Sequence, residues 1–187
     1  MSYFSQSLHD KETNQLITGN KMNLAQLNEL TIDEATHTFM QCCTSAAWVE
    51  KMVQARPFAD KKDLETKADI AWQGLAEADY LEAFEGHPQI GNVDTLRAKY
   101  ANTKELASGE QSSVSEATEQ VIESLAQGNA DYLEKFGFIF IVCATGKSAA
   151  QMVALLQARL PNDKVTELTN AAEEQRKIFH LRLEKLI

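Results

Sequence analysis

Gly137-Phe138-Ile139-Phe140-Ile141-Val142-Cys143-Ala144-Thr145-Gly146 is the stretch on which the fold class turns. Its aromatic and β-branched side chains favour extended backbone, and a glycine closes it at each end. No other segment offers itself as a partner strand. The stretch is therefore expected to be one short, buried, extended piece inside an all-α fold. Its backbone N–H and C=O groups must then find partners other than a neighbouring strand. In an enzyme, a bound ligand is one such partner.

Helix signals lie on both sides of this segment. Before it, Ala117, Val121, Leu125, Gly128, Tyr132 and Phe136 fall on one helical face. After it, Ser148-Ala149-Ala150-Gln151 is a capping box whose helix carries Met152, Leu155 and Leu156 and stops before Pro161. A last helix is expected from Asp163 to Leu186. Further upstream, Thr31-Ile32-Asp33-Glu34 is another capping box, opening a helix towards Cys43. Thr44 or Ser45 can cap the next helix, which carries Trp48 and Met52 and must stop near Pro57. Leu64, Ala68, Ala71 and Leu75 recur at helical spacing. A turn with Tyr80, Leu81 and Phe84 ends at Gly86, expected as a left-handed C-cap. The stretch from Asn92 to Ala107 is polar and shows no decisive period.

Composition agrees with helices. The chain has 187 residues with only three prolines and eight glycines, few for a fold built on many turns. A hydrophobic fraction of 44% and a mass of 20.8 kDa suit one globular domain with a real core. Residues 1–21 are polar and expected to be loosely ordered, leaving 22–187 as a single-domain helical bundle. The net charge of -9 and pI near 5.0 argue against a nucleic-acid partner and against an anionic membrane surface. Cys42, Cys43 and Cys143 are an odd set with an adjacent pair, a poor disulfide framework. They fit small buried thiols of a reducing compartment, and without a Cys-x-x-Cys no zinc site is expected. The N-terminus has no apolar signal core, the chain ends in no peroxisomal Ser-Lys-Leu address, and no run approaches the roughly 20 apolar residues of a membrane span. The expectation is a soluble, cytoplasmic protein.

Among the four histidines, His9 reads as solvated, and His37 and His180 read as packing or surface residues within helices. His87 differs. It stands in Gly86-His87-Pro88-Gln89-Ile90-Gly91, where Pro88 forces extended backbone on it. A stiff loop thus presents an imidazole, a posture suited to acid–base work or hydrogen bonding as well as to a plain inter-helix turn. Glu110 reads first as a solvated helix start. On the last helix, Leu168, Ala172, Gln175, Phe179, Arg182 and Leu186 share a face. Arg182 therefore points with an apolar stripe and needs either a carboxylate, Glu110 being one candidate, or an anionic ligand.

Taken in order, these residues resemble the OHCU decarboxylase family, which acts on 2-oxo-4-hydroxy-4-carboxy-5-ureidoimidazoline between urate and allantoin. The resemblance runs from Met22 to Ile187. It is carried by Cys42-Cys43-Thr44-Ser45 with Trp48, by Arg56-Pro57-Phe58, and by His87-Pro88-Gln89-Ile90-Gly91. It continues through Glu110-Gln111, Asn129, Tyr132, Phe136 to Val142, Arg159-Leu160-Pro161-Asn162 and His180-Leu181-Arg182-Leu183. The chain departs from the family's pattern at Ala107, where Ser is frequent and Ser108 follows, and at Ile139, where Pro is frequent. The resemblance implies an all-α homodimer that needs no cofactor. It implies His87, Glu110 and Arg182 as the catalytic set. Pro88, Ser108, Gln111 and the backbone of Phe140, Ile141, Val142, Cys143 and Ala144 would line the substrate pocket, with no metal. The expected activity is decarboxylation of the ureidoimidazoline to (S)-allantoin. The competing readings are a non-catalytic helical ureide-binding or scaffold protein and a helical hydrolase in which Glu110 activates water.

Overall fold

The structure, a computed structural model, describes residues 21–88, 93–94, 96 and 111–187. Among the described residues the secondary structure is helical throughout: α1 (Leu24–Glu29), α2 (Ile32–Met40), α3 (Ala46–Gln54), α4 (Lys61–Trp72), α5 (Glu77–Glu85), α6 (Gln111–Phe136), α7 (Ala149–Arg159) and α8 (Lys164–Leu186). The polar segment before residue 21, with His9, and the stretch from Asn92 to Ala107, apart from 93–94 and 96, lie outside the described residues.

Side-chain caps set where these helices start. Thr31 and Glu34 form the reciprocal box that opens α2, and Ser148 and Gln151 do the same for α7. Of the two candidates before α3, Ser45 is the cap: its hydroxyl accepts from the Trp48 N–H. Asp163 accepts from the Thr166 N–H at 2.8 Å and opens α8. Each such cap is worth about 1 kcal/mol and fixes a boundary that periodicity alone leaves loose.

The core has two aromatic centres. Trp48 packs edge-on against Phe39 and tilted against Phe179, with centroids 6.1 and 5.0 Å apart, and Trp72 meets the other side of the group at 5.6 Å from Phe179. Both indole N–H groups are spent on helix carbonyls, those of Ala68 and Ala172. This ties α3, α4 and α8 together. The second centre gathers Tyr132 and Phe136 of α6 around Phe138 and Phe140, so the extended segment is packed as core. α6 also packs along α7.

Two sequence expectations are corrected. Gly86 is not a left-handed cap: its φ is -68°, ordinary helical backbone. What requires glycine there is proximity. A Cβ at this position would meet the Thr44 hydroxyl oxygen at 2.1 Å, and that hydroxyl donates to the carbonyls of Glu82 and Ala83 at the end of α5. Left-handed backbone is found instead at Gly74 and at Gly137 and Gly146, the last two, with φ of 78° and 75°, bracketing the extended segment. The second correction concerns α8. Its buried line is Glu167, Ala171, Gln175, Phe179 and Leu183, while Leu168, Ala172 and Leu186 flank it as half-buried residues. Gln175 and Phe179 belong to both lines, while Glu167, Ala171 and Leu183 are the buried residues where the apolar pattern has Leu168, Ala172 and the half-buried Arg182.

Candidate active site

The extended segment lies beside no strand among the described residues, and side chains take the strand's place. Arg159, the last residue of α7, donates from Nη1 to the Ile141 carbonyl at 2.7 Å. Glu174 of α8 accepts the Cys143 N–H at 2.7 Å, and Lys147 donates to the Cys143 carbonyl at 2.5 Å. Burial alone would lift the Glu174 carboxyl, but Lys177 and the Cys143 N–H hold its pKa below the usual carboxylate range.

Arg159 is itself fixed by Glu167, whose side chain is fully buried. The Glu167 carboxylate accepts from Arg159, from the Tyr132 hydroxyl at 2.6 Å and from the Asn162 amide at 2.9 Å. Burial pushes the Glu167 pKa up. The Tyr132 and Arg159 donors more than reverse this, so the group stays below its ordinary value and ionised. Its counterpart Tyr132 is pushed far up by burial and by the carboxylate it bonds. Tyr132 and Arg159 stand among the residues that carry the family resemblance, and Glu167 does not. The available signal was its phase, four residues before Ala171 and eight before Gln175 on the buried line.

Between the extended segment and α8 lies a cavity of about 260 Å³. Its walls are His87 and Pro88 from the loop after α5, residues 139–145 of the extended segment, and Ile178, Leu181, Arg182 and Lys185 of α8. The structure thus brings together eight of the residues singled out in the sequence: His87, Pro88, Phe140, Ile141, Val142, Cys143, Ala144 and Arg182. Ser108 and Glu110 lie outside the described residues, and Gln111 is placed only as the first residue of α6.

The His87 N–H bonds the Phe84 carbonyl at 3.1 Å, which anchors the loop to the end of α5. Its ring Nε2 lies 2.5 Å from Oε1 of Gln175. Burial lowers the pKa of His87, Arg182 lowers it further, and the Gln175 bond opposes them only in part. The imidazole is neutral at pH 7. Arg182 donates from Nη1 to the Cys42 carbonyl at 2.9 Å, a neutral partner that leaves the guanidinium's charge uncompensated by this bond. Cys42 and Cys43 are buried thiols. Loss of hydration pushes Cys42 up to about 12 and Cys43 up to about 11, so neither is a nucleophile at neutral pH.

Among the described residues no group of His, Cys, Asp and Glu is arranged to hold a metal ion, and no helix is long and apolar enough to cross a membrane. The pieces present suit a small polar anion: a cationic donor, a neutral imidazole and an extended backbone edge around one cavity.

Comparison with known proteins bears on the same region. The chain is 35% identical over 145 residues to the uric acid degradation bifunctional protein TTL of Arabidopsis thaliana, covering 78% of this chain and 45% of that protein. It therefore spans less than half the length of that relative. It is 31% identical over 169 residues to the 2-oxo-4-hydroxy-4-carboxy-5-ureidoimidazoline decarboxylase of Amia calva, covering 89% of this chain and 95% of that protein. Among solved structures, a crystal structure of OHCU decarboxylase in the presence of (S)-allantoin superposes with a TM-score of 0.63 at 34% identity, covering 79% of this chain and 95% of that one. The sequence description of OHCU decarboxylase matches residues 28–184, which take in His87, the extended segment and Arg182. The chain belongs to the OHCU decarboxylase family.

Proposed function

We propose that this protein decarboxylates 2-oxo-4-hydroxy-4-carboxy-5-ureidoimidazoline to (S)-allantoin in urate degradation, without a cofactor. The observation that carries the reading is the convergence of His87 and Arg182, far apart in the chain, on one cavity walled by residues 139–145. Family membership supplies the substrate class.

The chemistry suits this equipment. The bond from the ring carbon to its carboxylate breaks, CO2 departs, and the electron pair moves into the ring towards the adjacent conjugated C=N. The substrate carries its own electron sink, so the protein's work is orientation, charge placement and proton delivery. Arg182 holds an anionic or carbonyl oxygen. Neutral His87 positions the hydroxyl and carboxylate on the reacting carbon and moves a proton. Glu110 binds ureido or ring N–H groups. Collapse of the enol to the ring carbonyl then sets a proton on one face.

The backbone of the extended segment serves recognition. Successive residues of an extended chain turn their N–H and C=O groups to opposite edges. The groups tied to Arg159, Glu174 and Lys147 belong to Ile141 and Cys143. Phe140 and Val142 then offer theirs on the other edge, where a ureide has matching donors and acceptors. We place this activity in the cytoplasm and in a homodimer, in keeping with the resemblance and the reduced cysteines.

The test generates the unstable intermediate in place from urate and follows optical activity. Rapid growth of the (S)-allantoin signal is expected. Slow formation of racemic product alone would overturn the reading, and ureide binding without turnover would favour a scaffold. His87→Ala should cut turnover by about 10² to 10⁴ with an unchanged circular dichroism spectrum. Near-normal turnover would remove His87 from the mechanism.

A further inference from the structure

Gln175 is fully buried at the centre of the inner line of α8, in a place where an apolar residue would pack as well. Its Oε1 is 2.5 Å from Nε2 of His87. Its other end, Nε2, has no hydrogen-bond partner among the described residues, and the Gln175 side chain favours the Cys43 thiolate. A buried amide with half of its capacity unused costs about 1–3 kcal/mol against an apolar side chain. That cost calls for a reason, and the histidine it holds supplies one.

We propose that Gln175 is a positioning residue that fixes the tautomer of His87, keeping a proton on Nε2 and the lone pair on Nδ1, so that Nδ1 is the atom that takes and returns a proton in the cavity. The role of Nδ1 rests on the proposed function of His87, whereas the tautomer stands or falls by itself. Neutral imidazole exists in two tautomers of similar energy, and a single acceptor at one nitrogen selects between them. A primary amide offers an oxygen on one side and an NH2 on the other. With the oxygen towards His87, the Nε2–H is satisfied in the neutral ring and equally in the imidazolium formed when Nδ1 takes a proton. With the amide reversed, two N–H groups would face each other whenever the ring became charged. A histidine that cycles between both states can therefore keep only the orientation seen here. The Cys43 thiol is a weak acceptor, so it offers the amide no pull that competes with the bond to His87.

The test is long-range ¹H–¹⁵N correlation of imidazole-labelled protein above the His87 pKa, with the His87 signals identified by their absence in His87→Ala. The expected pattern is a protonated-type Nε2 and a lone-pair-type Nδ1. The mirrored pattern, or a rapidly averaged pair, would overturn the proposal. This measurement uses the native chain, so it decides the matter even if a core variant fails to fold. In Gln175→Leu the two nitrogens should average, and kcat should fall about 10-fold or more with little change in KM. Gln175→Glu keeps the acceptor and should keep the Nε2 proton. An unchanged tautomer in Gln175→Leu would also overturn the proposal. Should the native tautomer be as expected while His87→Ala turns over normally, Gln175 keeps its role in setting the ring and only the catalytic reading of His87 fails.

Discussion

Two arginines meet the same extended segment in different company. Arg159 donates to the Ile141 carbonyl and to the Tyr132 hydroxyl, lies 4.7 Å from the Phe140 ring centroid, and is paired with the fully buried Glu167. Its planar fork is spent on protein. Arg182 borders the cavity and donates to one neutral carbonyl, that of Cys42. Both are cations set against apolar surroundings. The difference lies in what answers the charge. A buried carboxylate turns Arg159 into a strut. Among the described residues no carboxylate is paired with Arg182, and under the proposed function its charge answers the substrate.

The sharpest way to break this contrast is the same substitution at both places. Arg159→Met strands the Glu167 carboxylate, and breaking a buried pair from one side costs about 3–5 kcal/mol. In a chain of this size each kcal/mol moves the melting temperature by roughly 2–4 °C, so Tm should fall by about 10 °C. Arg182→Met forfeits one hydrogen bond to a carbonyl, about 1 kcal/mol, and should melt within a few degrees of the native protein. Its turnover should drop by about 10² to 10³, the usual loss when a charge-stabilising donor is removed. Thermal denaturation and the polarimetric assay on both variants decide it. Equal stability losses would show that Arg182 is a strut as well.

The contrast was half legible in the sequence. The lone aromatic and β-branched run after Gly137 stood out because its period differs from the helical one around it, and the caps at Thr31, Ser148 and Asp163 are local chemistry. Arg182 could be suspected from its phase on α8. Glu167 shares a phase with Ala171 and Gln175, but that signal is weak, since a glutamate in the first turn of a helix is ordinarily a solvated residue favoured by the dipole. Only the tertiary approach of Tyr132, Arg159 and Asn162 makes it a core group. Gln175 was read as part of an apolar stripe for the same reason, its partner His87 being remote in sequence. The role of Gly86 is not legible locally, because it is set by Thr44, a contact that no local pattern encodes.

Glu174 probes the middle ground between strut and ligand site. It holds the Cys143 N–H from a half-buried position and shares its charge with Lys177. Glu174→Ala removes the acceptor without stranding a buried charge. The cost is that of one hydrogen bond, about 1 kcal/mol, and it falls on the segment that walls the cavity. KM should rise by about 3-fold to 10-fold with kcat nearly unchanged, and Glu174→Gln, which keeps an oxygen acceptor, should restore it. A fall in Tm equal to that of Arg159→Met, with KM unmoved, would place Glu174 with the struts.

The smallest expected effect is on pH dependence, and it separates the buried carboxylate from the half-buried imidazole by pH window, since both lose stability as pH falls. Both groups have depressed pKa values, but for opposite electrostatic reasons. For Glu167 the charged form is the stabilised one, so its contribution is present above the ordinary carboxylate range and lost as pH falls through its lowered value. For His87 the neutral form is the stabilised one. The unfolded chain takes up this proton near pH 6.5 while the folded chain still resists, so stability falls with pH below about 6.5. The acid limb of kcat/KM should therefore lie below pH 6.5, and weakening the Arg182 charge with Arg182→Met should move it upward. A limb above 6.5 in the native enzyme would mean that His87 is held as the imidazolium, which only an anionic neighbour stronger than Arg182 could cause.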